Sequence, residues 1–248
     1  MLTSTDTGFP EFSEPFRSTG FTDFTEGWVR RFAASAAATE AELTALDQQV
    51  GDGDFGANLV AGLQAALRRL GAPGVPASPP AVPASPAVPA PPAWPLEAAA
   101  SAFLDEVGGT SGPLFGLLLQ EIAVSVAAGD GPPAVALATG AGGGLAAIQR
   151  VGEAAVGDKT LVDALAPACD ALAAQARTAP GDPSAAAAEG ARAAWGGVRS
   201  TARFTARRGR ASYLGERAAG VPDPGAVGIA LLFASAATTV PTLAPYLG

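Results

Sequence analysis

Apolar residues recur along this chain at helical spacing over most of its length. Leu59, Leu63, Leu67 and Leu70 follow one another at intervals of four, four and three, which puts them on one face of an α-helix. An earlier helix is predicted from about Phe21, where Thr22 or Asp23 can cap it, through Trp28, Phe32 and Ala36 towards Leu43 and Leu46. The pattern resumes at Leu96 and breaks over 108–113, a Gly-Gly-Thr-Ser-Gly-Pro stretch. Further helices are predicted over 114–127, 134–151, 160–176, 184–205 and 225–240, the last stopped by Pro241. Short Gly/Pro/Asp links join most of them, which favours antiparallel neighbours in a bundle. The fold class read from this pattern is all-α.

Two stretches lack the helical period. Residues 1–20 carry Gly8, Pro10, Pro15 and Gly20 among scattered phenylalanines and are predicted to be an extended arm. Residues 71–96 form a Pro/Ala/Val tract that cannot be helical, because proline lacks the amide donor and clashes with the preceding turn. With helices on either side and no core of its own, the tract reads as a surface-loop insertion inside one domain spanning 21–248; docking of a proline-binding partner is the other reading.

Composition narrows the class further. The chain is 48% hydrophobic but only 6% aromatic. Most of its apolar residues are Ala, Leu and Val, which suits closely packed helices better than a sheet. At 248 residues it is long enough to bury one sizeable core. A net charge of −8 argues against nucleic acid or an acidic membrane as partner. The longest mostly apolar run, 226–237, is too short to span a bilayer, and the N-terminus lacks the basic and apolar regions of a secretory signal. The expected location is therefore cytoplasmic. The lone Cys169 allows no intrachain disulfide and sits at helical spacing among Leu165, Leu172 and alanines, as a small buried residue would. Histidine is absent, so a Ser-His-Asp triad, a Cys-His pair, histidine-ligated zinc and phosphohistidine are all excluded on this chain. Any metal must be held by oxygen, which points to magnesium or calcium.

The densest chemistry lies in the link between the first two predicted helices. Over 46–58 the chain reads Leu-Asp-Gln-Gln-Val-Gly-Asp-Gly-Asp-Phe-Gly-Ala-Asn, with Asp47, Asp52 and Asp54 as candidate metal ligands. Gly51 and Gly53 let the backbone turn sharply enough to aim several carboxylates inward. Helix-capping aspartates in a solvated turn are the competing reading, disfavoured by the density of the motif. Thr110, Ser111 and Gly112 offer hydroxyls and amides just before Pro113, as an anion cradle or as an N-cap with proline in the first turn. Asp158 reads as a helix cap. Lys159 is the only lysine, and two roles are equally open to it: a pair with Asp163 on a helix surface, or a phosphate contact. Asp223, Pro224 and Gly225 read as the cap and first two positions of the last helix.

Four segments together carry a resemblance: 46–58; Gly-Gly-Thr-Ser-Gly-Pro-Leu-Phe-Gly at 108–116; Gly-Asp-Lys-Thr-Leu-Val-Asp-Ala-Leu at 157–165; and Gly-Arg-Ala-Ser-Tyr-Leu-Gly-Glu-Arg at 209–217, followed by Asp-Pro-Gly-Ala at 223–226. In this order the chain resembles the nucleotide-binding L subunit of dihydroxyacetone kinase and the equivalent domain of single-chain ATP-dependent kinases. The resemblance implies a barrel of about eight antiparallel amphipathic helices with the site in the loops at one end. It implies that Asp47, Asp52 and Asp54 hold two Mg2+ ions, and that ADP or ATP contacts Phe55, Gly56, Ala57, Asn58, Thr110, Ser111, Gly112, Gly152, Leu161, Arg210, Asp223, Pro224 and Gly225. Arg207 and Arg208 are read as surface charges or partner contacts. The implied function is phosphoryl transfer to a ketose held by a separate K-type subunit, with a phosphohistidine protein of a phosphotransferase system as a second partner in one mode and ATP as the donor in the other. A homodimer is compatible with it. A fatty-acid-kinase nucleotide domain and a catalytically idle regulatory module are the alternatives. The family usually has histidine where this chain has Phe55, which predicts weaker nucleotide binding, because the ring loses a donor.

Overall fold

The computed structural model describes residues 15–71, 91, 93–129 and 131–247. Its helices are α1 (Pro15–Val50), α2 (Phe55–Leu70), α3 (Trp94–Glu106), α4 (Ser111–Ala128), α5 (Pro133–Gly152), α6 (Val162–Thr178), α7 (Pro183–Thr201), α8 (Pro224–Ala234) and the short α9 (Ala244–Leu247). Two 3-10 turns, Arg210–Tyr213 and Gly215–Ala218, lie in the link between α7 and α8. No strand occurs among the described residues, as the all-α reading expected.

Each of α1 to α8 packs on the next, and α8 returns to α1, so the helices close into a ring. The register is antiparallel, and small residues set it. A Cβ added at Gly140 would meet Ile122 and one at Gly144 would meet Leu118, so α4 and α5 pass in opposite directions in near contact. Gly197 plays the same part between α7 and α6, its position lying against the backbone of Asp163 and Ala164. An alanine- and glycine-rich composition is thus what lets the helices approach so closely.

Closure depends on α8. Its residues from Ala226 to Phe233 are all buried, as expected of a helix that is apolar all round. Trp28 Nε1 on α1 donates to Leu232 O at 2.6 Å, and Arg31 donates to Ser235 O at 2.8 Å and Ala236 O at 2.5 Å. Burial pulls the Arg31 guanidinium below its ordinary value; placed at a helix C-terminus, its charge still complements the dipole. The Ser35 hydroxyl meets that of Ser235 at 2.8 Å and accepts from Val240 N at 2.9 Å.

Several boundaries differ from the sequence expectation. The predicted arm at 1–20 overlaps α1, which already begins at Pro15; proline's fixed φ suits a first helical turn. Residues 1–14 lie outside the described residues, as does most of the 71–96 tract, whose last residues are helical because Pro95 falls in the first turn of α3. α7 stops at Thr201 rather than 205 and α8 at Ala234 rather than 240. In both cases side chains from elsewhere occupy the carbonyls at the helix end. The four-residue α9 was not expected. α4 is long and apolar enough to cross a bilayer by length and composition, yet Phe115, Leu118, Leu119 and Ile122 on it belong to the core.

Adjacent glycines in α7 give a paired test. Gly196→Ala meets nothing within 4 Å and is expected to stabilise by roughly 0.5–1 kcal/mol through helix propensity. Gly197→Ala would set a Cβ 2.2 Å from Asp163 O and is expected to destabilise by about 1–3 kcal/mol. Urea denaturation of the two variants checks both signs.

Candidate functional site

Only four residues, Gly51 to Asp54, join α1 to α2. Gly53 has φ +80°, a left-handed conformation that favours glycine, and a Cβ at Gly51 would fall 2.2 Å from Asp47 Oδ1. Asp47, on the last turn of α1, is 9% exposed and its Oδ2 accepts from Phe55 N at 3.1 Å. Asp54 occupies the N-cap position of α2 without making a side-chain cap. Asp182 and Asp223 behave differently, accepting from Ala185 N and Ala226 N. Asp54 therefore does not cap α2, whose first amide is taken by Asp47 instead. One oxygen from each of Asp47, Asp52 and Asp54 lies within 4.8 Å of the others. This all-oxygen donor set fits a hard divalent cation.

Arg210 reaches into the same cluster, touching Asp52 and approaching Asp54 at 3.6 Å. Its guanidinium offsets charge that three neighbouring carboxylates would otherwise suffer.

The loops around this cluster enclose one pocket of about 280 Å³. Opposite the aspartates stand Gly109, Thr110 and Ser111 at the N-terminus of α4, where free amides favour an anion. Asn58, from the first turn of α2, lies beside Gly109 in the pocket lining. The deeper wall is apolar, formed by Leu114, Ile148, Ala154, Leu161 and Val162. Asp223, Pro224 and Gly225 complete it, with Gly225 against Leu161.

Most of the residues singled out from sequence line this pocket, including Phe55, Asn58, Thr110, Ser111, Gly152, Leu161, Arg210 and all three aspartates. Gly56, Ala57 and Gly112 do not. Gly56 is where α2 crosses Glu40 and Thr44 of α1, Gly112 lies against Val107, and Ala57 is exposed on α2. Phe55 is 6% exposed and turned to the core, its ring 6.2 Å from that of Phe115 and close to Gly228.

Lys159 is not the surface partner of Asp163 that its spacing suggested, and it borders the pocket. It is 1% exposed, lies before α6 rather than on its surface, and donates from Nζ to Thr201 O and Val221 O, each at 2.6 Å. Burial lowers its pKa, while Asp223 and Asp163 favour its charge. Asp163 accepts instead from Gly157 N at 2.5 Å and Thr160 N at 2.8 Å, holding the 157–160 turn. Asp158, expected as a helix cap, accepts from Ala155 N within its own loop. Burial raises the pKa of Asp223 to about 7 against the opposing pull of its bond from Ala226 N and of Lys159.

Sequence reasoning missed Arg208 and the apolar lining. Arg208 borders the pocket and lies 3.7 Å from Glu153 and 3.9 Å from Asp158; its place in an Arg-Arg-Gly-Arg run was the available signal. Leu114, Ile148 and Val162 carry no such signal, since helical periodicity marks core and pocket wall alike.

Comparison with known proteins matches the geometry. Residues 49–238 fit the family model described as the DAK2 domain. The chain is 36% identical to L-erythrulose 1-kinase of Mycolicibacterium smegmatis over 82% of its own length and 33% of that protein's. It therefore spans about a third of the length of the erythrulose kinases it matches. It is 31% identical to the ADP-binding subunit DhaL of the PTS-dependent dihydroxyacetone kinase of Lactococcus lactis, over 85% of this chain and 94% of that subunit. The crystal structure of the dihydroxyacetone kinase from C. freundii in complex with AMP-PNP and Mg2+ shares the fold, with a TM-score of 0.57 and 22% identity over 95% of this chain and 37% of that one. The chain belongs to the DAK2 domain family and is a DhaL-type domain.

Proposed function

We propose that this chain is the nucleotide- and magnesium-binding part of a cytoplasmic ketose kinase, passing phosphate to a short ketose of the dihydroxyacetone class held by a separate K-type subunit. The observation that carries the reading is the convergence of Asp47, Asp52 and Asp54 on the same pocket as the α4 N-terminus and Arg210. The names of the relatives, an erythrulose kinase and an ADP-binding subunit, supply the substrate class and the nucleotide.

In this reading Asp47, Asp52 and Asp54 would hold two magnesium ions, which would supply positive charge to offset that of the transferred phosphoryl group. Thr110 and Ser111, which line the pocket at the start of α4, offer hydroxyls and a first-turn amide to a phosphate. Leu114, Ile148 and Leu161 receive the base, and burial of its faces orients the nucleotide with its phosphates towards the aspartates. Arg210 then exchanges a carboxylate partner for a phosphate, a charge-assisted bond of the same kind. No general base on this chain is required, because the ketose is activated on the partner. A phosphohistidine protein serves as donor where ADP stays bound as a coenzyme; ATP serves where the nucleotide exchanges. ADP that survives gel filtration identifies the first mode, and rapid exchange with labelled ATP identifies the second.

Isothermal titration with ADP should give binding that disappears on chelation of magnesium and that Asp52→Ala weakens on the order of a hundredfold; magnesium-independent binding, or an unchanged Asp52→Ala variant, overturns the reading. A second titration addresses the aromatic residue beside the ligands. Phe55→His is expected to tighten ADP binding by restoring a donor at the pocket. It should also lower thermal stability, because an imidazole replaces a buried ring packed on Phe115. Binding no tighter than that of the native protein would sink the first expectation.

A further inference from the structure

The link between α7 and α8 is the longest of those meeting at the pocket, and it carries Arg208, Gly209 and Arg210 into it. What fixes that loop is concentrated at its two feet. Lys159 Nζ donates to Thr201 O at the first foot and to Val221 O at the second, both at 2.6 Å. Gly220 N donates to Ala202 O at 2.8 Å and Asp223 N to Thr201 Oγ1 at 2.9 Å, so the closure is continuous across the base of the loop. The neighbouring Asp158 carbonyl accepts from Arg207 N at 3.0 Å, tying the arm of the loop to the same dipeptide.

Lys159 itself is held in a conformation that lysine rarely adopts, with φ +62°. Its side chain is almost wholly buried. A surface lysine would have no reason to accept either condition. An ammonium that must reach two backbone carbonyls on separate segments does, because only a long side chain with several donors can satisfy both at once.

We propose that Lys159 is a positioning residue for the nucleotide site, clamping both feet of the 202–221 loop and so fixing where Arg210 meets the phosphates and the aspartate cluster. This rests on the nucleotide-binding reading given above. Lys159 borders the pocket, but two loop carbonyls engage its ammonium, so it acts through the loop.

The test is a double-mutant cycle read by magnesium-ADP titration, with hydrogen exchange and melting temperature measured on the same proteins. Lys159→Met keeps the buried stem and removes the donors; Arg210→Gln removes the group to be positioned. Each single variant is expected to bind about tenfold more weakly, and the double variant no more weakly than Arg210→Gln alone, because the two substitutions interrupt one effect. Leu172→Ala, a core change between α6 and α7 that lowers stability without touching the loop, should bind as the native protein does. Lys159→Arg, which restores charge and donors, should regain most of the affinity and serves if the methionine variant fails to fold. Lys159→Met should also speed exchange of the Gly220 and Asp223 amides while those inside α4 stay protected. Additive losses in the cycle, or unchanged exchange at the loop feet, overturn the proposal. Should the native protein bind no magnesium-ADP, the nucleotide reading fails and the exchange experiment alone decides whether Lys159 is the clamp.

Discussion

An antiparallel ring of helices sends alternate connections to the same rim, and the chemistry of this molecule depends on that constraint. The links from α1 to α2, α3 to α4, α5 to α6 and α7 to α8 all meet at one end. The remaining links, at 71–93, 129–132 and 179–182, leave from the opposite end. Residues far apart in sequence, such as Asp52, Ser111, Leu161 and Arg210, thus share a pocket without any of them having to pack against another in the core. The same constraint explains why a proline-rich tract is tolerated between α2 and α3. Leu70 and Trp94, which flank it, end and begin their helices away from the pocket, where added chain length costs little.

Gathering acidic groups on one rim has an electrostatic cost, and the structure meets it in layers. Arg210 lies in contact with Asp52 at the mouth, where solvent screens the pair and the gain is modest. Lys159 sits beneath, between Asp223 and Asp163, where burial makes its charge count for more. Asp47 is anchored by the Phe55 amide. Arg210 thus serves Asp52 and Asp54, and Lys159 serves Asp163 and Asp223. The protein can therefore hold an acidic site open to a cation while keeping the surrounding backbone in place.

The fold was legible because its signals are local and repeated. Leucines at 59, 63, 67 and 70 and the glycine-rich breaks between helices mark elements that tertiary packing does not overrule. The pocket was legible to the extent that its residues stand in dense or distinctive motifs, as with the acidic loop ending at Asn58 and the run around Arg210. Lys159 stands out in the sequence, but its pairing does not. Its spacing from Asp163 suggests a surface pair, and nothing local reveals that two carbonyls more than forty residues downstream require it. The ends of α7 and α8 failed for the same reason, since each is set by a distant side chain that takes the terminal carbonyls. Phe55 shows a further limit: it lines the pocket beside the aspartates, but its packing on Phe115 and Gly228 left no mark in the sequence.

Stability is also unevenly distributed around the rim. The links at 51–54 and 107–110 are short and sit directly on helices rooted in the main core. Among the described residues, the long link after α7 has a small apolar cluster of its own, formed by Val50, Ala206, Ala211 and Ala218 with Leu214 and Val221 packed against it. A cluster built mostly of alanines buries little surface to set against the conformational entropy of such a loop. Its order must therefore come from polar ties at its feet and from Arg210 at its tip. Segments held in this way open locally at lower free energy than the core. A ligand that changes the partner of Arg210 acts on the least stable part of the rim, where a change of one ion pair has the most effect on structure.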